Sequence, residues 1–76
     1  MIKVILHGNL IEEHEHLEPE SQAEHHNGMT IGDLIAGLNI NYDILGLIIL
    51  NGLSVTPEAK VEDDSVVDFY TYVEGG

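Results

Sequence analysis

The chain closes on "VEGG", a bare carboxylate carried by Gly75 and Gly76. Such a carboxylate is ionised at neutral pH, with a reference pKa of about 3.5. Neither glycine has a Cβ to obstruct approach, and both accept φ of either sign, so this end could thread a narrow channel closed to a bulkier one. A terminal glycine pair arises by chance on the order of once in two hundred chains. The residues before it must decide whether it carries chemistry.

The five histidines are the second candidate group. Neutral imidazoles beside carboxylates can bind Zn²⁺ or Ni²⁺, and His14, His16, His25 and His26 fall within thirteen residues. Geometry limits the idea: His14 and His16 share a face only on a strand, being about 200° apart on a helix, and His25 and His26 point to opposite faces of any strand. With no HxxxH pair and no Cys, no residue is assigned as a metal ligand. The plain reading of this segment is a solvated acidic loop.

These groups sit on a chain of 76 residues, one domain able to bury about 60% of its unfolded surface. Hydrophobic residues make up 43% of it, yet no apolar run approaches the roughly 20 residues of a membrane span. The absence of a signal peptide predicts a cytoplasmic protein. Fourteen Asp and Glu stand against Lys3 and Lys60, with no Arg, for a formal net charge of −12. Nucleic acid and anionic membranes repel such a surface. A phosphate site is equally disfavoured, because there is no guanidinium and no Gly-rich loop entering a helix. A basic protein surface is the partner that fits; otherwise the acidity serves solubility.

The elements that must position the tail follow from periodicity. "MIKVILHG" alternates Ile2, Val4 and Leu6 with Lys3, Ile5 and His7, which predicts a first strand ending at Gly8. "TIGDLIAGL" sets Ile31, Leu34, Ile35 and Leu38 on one helical stripe, with Thr30 and Asp33 spaced as a capping box. "LGLIILNGLSV" is an apolar run into Asn51-Gly52, a strong hairpin signal, with a return strand over Leu53 to Val55. "TPEAKVEDDSVV" reads as irregular loop. In "VVDFYTYV" the residues Val67, Phe69, Thr71 and Val73 share one strand face, and Val66, Asp68, Tyr70 and Tyr72 the other. Only Ile11, Leu17 and Ala23 are apolar in "IEEHEHLEPESQAEHHNG", so this segment predicts an edge strand or a mobile loop. The expected architecture is α+β, a mixed sheet packed on one main helix with the first and last strands adjacent.

"NGMTIGDLIAGL", "LIILNGLSV" and "DDSVVDFYTYVEGG" resemble, in order and spacing, the corresponding segments of the ubiquitin-like sulfur-carrier proteins of the MoaD and ThiS type. The likeness covers roughly residues 28 to 76 and the first strand. It implies a single β-grasp domain over residues 1–76 with a flexible Gly-Gly tail. Length and the aromatic run before the tail favour the branch of the molybdopterin synthase small subunit. The chain departs from the family at Asp64, where a tight turn usually has Gly, and at Thr71 and Tyr72, where prolines are usual.

The resemblance implies that the carboxylate of Gly76, presented by Gly75, attacks the α-phosphate of ATP in an E1-like adenylating enzyme. The acyl-adenylate then accepts sulfur from a persulfide, leaving a thiocarboxylate at Gly76. The chain would bind no cofactor itself, ATP and Mg being used by the partner. It would be a protein co-substrate rather than an enzyme, donating sulfur through a synthase subunit to molybdopterin biosynthesis. Val73 and Glu74 precede the glycines in that tail. Tyr70 and Tyr72, on the sheet face away from the helix and near the outward members of the run Leu47 to Leu50, are expected to dock the partner, because Tyr combines large contact area with a polar tip. Three alternatives stay open: a ubiquitin-like modifier conjugated through Gly76, a thiamine thiazole sulfur carrier, and an acidic His-rich metal-binding module.

Overall fold

Local capping and turn chemistry account for most of the elements. The computed structural model describes residues 1–71. Strand β1 (Ile2–Leu6) is followed by a short helix α1 (Asn9–Glu13), strand β2 (Glu20–Ala23) and helix α2 (Ile31–Gly37). A 3-10 turn over Tyr42–Ile44 leads into β3 (Leu45–Leu50), β4 (Leu53–Ser54) and β5 (Val66–Thr71). The Thr30 hydroxyl accepts from the Asp33 N–H at 3.1 Å, while Asp33 Oδ2 accepts from the Thr30 N–H at 3.0 Å. This capping box satisfies two of the donors a helix start leaves free. Ile31, Leu34 and Ile35 form the buried stripe and Leu38 lies half-buried beyond it.

Asn51 and Gly52 turn β3 back into β4 with φ of 50° and 88°. That left-handed pair twists with the strands it joins, and glycine carries its second position without steric cost. Asn51 does more than turn. Its Oδ1 accepts from the Val66 N–H at 2.9 Å and its Nδ2 donates to Ser65 Oγ at 3.2 Å, which ties the hairpin to the start of β5.

The five strands make one mixed sheet in the order β2-β1-β5-β3-β4. β5 runs parallel to β1, placing Val4 beside Val67 and Leu6 beside Phe69, and antiparallel to β3, placing Ile48 beside Phe69. Ile2, Val4, Leu6, Val67, Phe69 and Ile48 are buried in one core with the α2 stripe. Before β5 the chain turns through Asp64 at φ 65°, a conformation Asp tolerates better than most side chains. The neighbouring Asp63 carboxylate accepts from the Met1 α-ammonium at 2.6 Å. That contact lowers the Asp63 pKa and raises that of Met1. The pair therefore contributes between those limits and is lost as pH falls through the first or rises through the second.

The segment after β1 is not the solvated loop its composition suggests. Leu10 of α1 is fully buried, and His14 is 1% exposed. Its Nδ1–H donates to the Leu10 carbonyl at 2.9 Å, and its Nε2 accepts from the Asn41 N–H at 2.8 Å. His14 is thus a neutral core residue stitching the short helix α1 to the loop after the main helix α2. The edge-strand alternative for this segment holds, since β2 pairs antiparallel with β1 at the rim.

His14→Ala should destabilise the fold by about 2–4 kcal/mol, because it opens a cavity and orphans the Leu10 carbonyl and the Asn41 N–H. His16→Ala, at an exposed position, should cost under about 1 kcal/mol. Urea denaturation of both variants measures the contrast.

Candidate functional site

Alternation along β5 divides its side chains between the core and the open face of the sheet. Val67, Phe69 and Thr71 are buried, while Val66, Asp68 and Tyr70 are half-buried on the other side. Tyr70 stands on the face predicted for it. Tyr72, Val73, Glu74, Gly75 and Gly76 lie outside the described residues.

The open face brings together residues from three strands. His7, just past β1, donates its backbone N–H to the Phe69 carbonyl at 3.0 Å, which sets its ring level with Tyr70. The two rings stack with centroids 4.1 Å apart and planes within 8°. His7 Nε2 lies 2.8 Å from Asp68 Oδ1. A carboxylate only accepts, so Nε2 carries a proton, and in the neutral ring Nδ1 is the nitrogen left with the lone pair. Leu47 of β3 sits opposite Tyr70 and is 43% exposed.

A bulge explains how Leu47 reaches that position. Leu45 pairs with Thr71 on the buried face and Leu47 with Tyr70 on the open one, so Gly46 is the extra residue across from β5. Ile5 and Ile49 continue the face, both half-buried. The result is an apolar and aromatic surface beside the strand that leads into the tail, with the polar His7–Asp68 pair set within it. An uncovered sheet face is ordinarily polar.

The sequence indicated Tyr70 and the outward part of β3, but not the His7–Asp68–Tyr70 cluster. Its signal was available in the alternation of "VILHG", which puts His7 opposite to Leu6 in facing; what was lacking was the β1–β5 register.

The remaining histidines are held apart. His14 is in the core, His16 Nε2 contacts the Leu38 carbonyl at 3.1 Å, His25 Nε2 contacts the Val61 carbonyl at 2.8 Å, and His26 lies 3.8 Å from Asp33. Among the described residues no three His, Cys, Asp or Glu converge to hold a metal ion. No helix among them is long and apolar enough to cross a membrane.

Neutral His7 should give the ¹⁵N shifts of the Nε2–H tautomer, and Asp68→Ala should mix the two tautomers. An Nδ1–H form in the parent protein would contradict the geometry. Tyr70→Ala should cost about 0.5–1.5 kcal/mol of stability through the lost stack.

Residues 4–76 match the model of the ThiS family. None of the curated proteins matches. A solved structure from Pyrococcus furiosus, described as subunit 1 of a molybdopterin converting factor, superposes with a TM-score of 0.77 at 18% identity, covering 95% of this chain and 97% of that one. Small archaeal modifier protein 1 of Haloferax volcanii gives a TM-score of 0.76 at 14% identity in one crystal structure, covering 95% of this chain and 97% of that one. A second structure of it gives 0.74 at 16% identity, covering 99% and 98%. At these identities the likeness establishes the fold, the ubiquitin-like β-grasp.

Proposed function

Because this chain belongs to the ThiS family, we propose that it is a sulfur carrier protein, activated and then thiocarboxylated at Gly76. The observation that carries this reading is that the family match runs through Gly75 to the last residue, Gly76. The arrangement of β5 supports it: the central strand of a mixed sheet leads directly into the tail, and an apolar face lies beside it.

The chemistry belongs to partner enzymes. An E1-like enzyme brings the Gly76 carboxylate to the α-phosphate of ATP; the O–P bond forms, pyrophosphate leaves, and Mg²⁺ held with the nucleotide offsets the phosphate charge. The terminal sulfur of a partner persulfide then attacks the acyl carbon and AMP leaves. A partner thiol cleaves the resulting S–S bond, forming a disulfide and releasing the thiocarboxylate. The chain has no cysteine, so no thiol of its own competes for the activated acyl group. Dependence on ATP sets the reaction in the cytoplasm.

The molybdopterin branch is the favoured destination, supported by the likeness to the P. furiosus protein. The sulfur would pass to a synthase subunit. The likeness to the archaeal modifier protein favours a second reading, conjugation of Gly76 to lysines of target proteins through the same acyl-adenylate. Intact mass separates the two. One oxygen exchanged for sulfur marks the carrier, and high-mass conjugates mark the modifier.

Tyr70, Tyr72, Val73 and Glu74 are proposed to contact the activating enzyme, with Leu47 completing the apolar surface. Charge complementarity to a basic partner, from a net charge of −12, would speed the encounter.

Deleting Gly76, or adding one residue after it, should abolish ATP–pyrophosphate exchange by the activating enzyme while leaving the fold intact; undiminished exchange would remove the proposal. Tyr70→Ala and Leu47→Ala should each weaken binding to that enzyme by about 1–3 kcal/mol. Titration calorimetry with the intact tail present reads this loss separately from the tail's own contribution.

A further inference from the structure

A second surface, at the β2 rim of the sheet beside α2, has the attributes of a peptide site. Among the described residues β2 is an edge strand, paired only with β1. The Leu6 N–H bonds to the Pro19 carbonyl at 2.8 Å, and the register runs Ile5–Glu20, Val4–Ser21, Lys3–Gln22 and Ile2–Ala23. Hydrogen-bonded pairs alternate in an antiparallel ladder. Ser21 and Ala23 therefore turn their backbone groups to β1, while Glu20 and Gln22 turn theirs to the open edge. An open edge is a template for another strand.

Beside that edge lies a groove of about 240 Å³ between the end of β2 and helix α2, lined by Ala23, Met29, Leu34, Gly37 and Leu38, with Glu24, His26 and Asp33 at its rim. It is smaller than the roughly 300–1,000 Å³ of pockets for drug-sized ligands, so it suits one or two side chains. Gly37 is the telling residue. It lies in the last turn of α2, where glycine weakens a helix by up to about 1 kcal/mol relative to Ala, and a Cβ built on it meets nothing within 4 Å. Gly37 lines the groove, so a larger side chain placed there has open space to enter.

We propose that the β2 edge and the β2–α2 groove bind an extended protein segment by strand addition, with apolar side chains entering the groove and flanking Lys or Arg residues meeting the acidic rim. Backbone hydrogen bonds to Glu20 and Gln22 supply the pairing, and alternation in the added strand sends every second side chain toward the helix. The charges select the flanks. Glu24 and Asp33 line the rim of the groove and Glu20 lies on the edge strand itself, while the nearby cation Lys3 is engaged with Glu20 at 3.2 Å.

The probe is a synthetic peptide, Lys-Lys-Val-Ile-Val-Ile-Lys-Lys, titrated into the ¹⁵N-labelled full chain, with a version carrying Glu in place of every Lys as the control. Shifts should concentrate on Glu20 to Glu24 and on Leu34 to Leu38, and the lysine peptide should bind at least tenfold tighter than the glutamate peptide. Gly37→Gln should fill the groove and cut binding at least tenfold while thermal stability holds or rises. Gln22→Pro, which removes an edge donor but no bond to β1, should do the same to binding. The proposal is overturned by the absence of shifts at millimolar peptide, by shifts confined to the Tyr70 face, by equal binding of the two peptides, or by full binding to Gly37→Gln.

Discussion

The structure depends on β5 lying between β1 and β3. That position gives the strand hydrogen-bonded neighbours along both edges, parallel on one side and antiparallel on the other. Its side chains are thereby committed to two surfaces, the core through Val67 and Phe69 and the open sheet face through Asp68 and Tyr70. A slip of one residue would exchange the two sets. Phe69, among the largest fully buried side chains, makes that slip costly. Fixing the register of β5 therefore fixes the core and the open sheet face together.

The placement of polar groups follows from this plan. Buried His14 is tolerated because both ring nitrogens are occupied by backbone partners. The His7–Asp68 pair lies on the open face, where partial solvation lowers the cost of holding a carboxylate against an imidazole. Asn51 and the Asp63–Met1 contact both fasten the end of the loop that enters β5. Much of the remaining acidity is distributed over exposed positions, including Glu12, Glu13, Glu15, Glu18, Glu20 and Glu24 around α1 and β2. Such a concentration opposes association with like-charged surfaces and leaves basic ones as the complementary choice.

Local rules made a large part of this legible. The Thr30–Asp33 box, the stripe Ile31, Leu34 and Ile35, the Asn51-Gly52 turn and the alternation of Val67, Phe69 and Tyr70 each involve residues within four positions of one another, and their chemistry suffices to specify the element. The edge strand was foreseeable for the opposite reason, a shortage of apolar residues. Helix α1 was not, since five residues are too few for a helical period to register, and it forms because Leu10 and His14 are captured by the core.

The sequence by itself determined the β-grasp pattern of elements, the inward and outward sets on β5, and the Gly75-Gly76 pair, because these rest on periodicity and on the identity of single residues. Tertiary structure alone decided the rest. The β1–β5 register stacked His7 on Tyr70 and placed it against Asp68; the bulge at Gly46 turned Leu47 to the same face; the packing of α2 left an open groove beside β2. Each of these joins residues far apart in the chain, whose encounter depends on strand order and register, quantities that no local run of residues encodes.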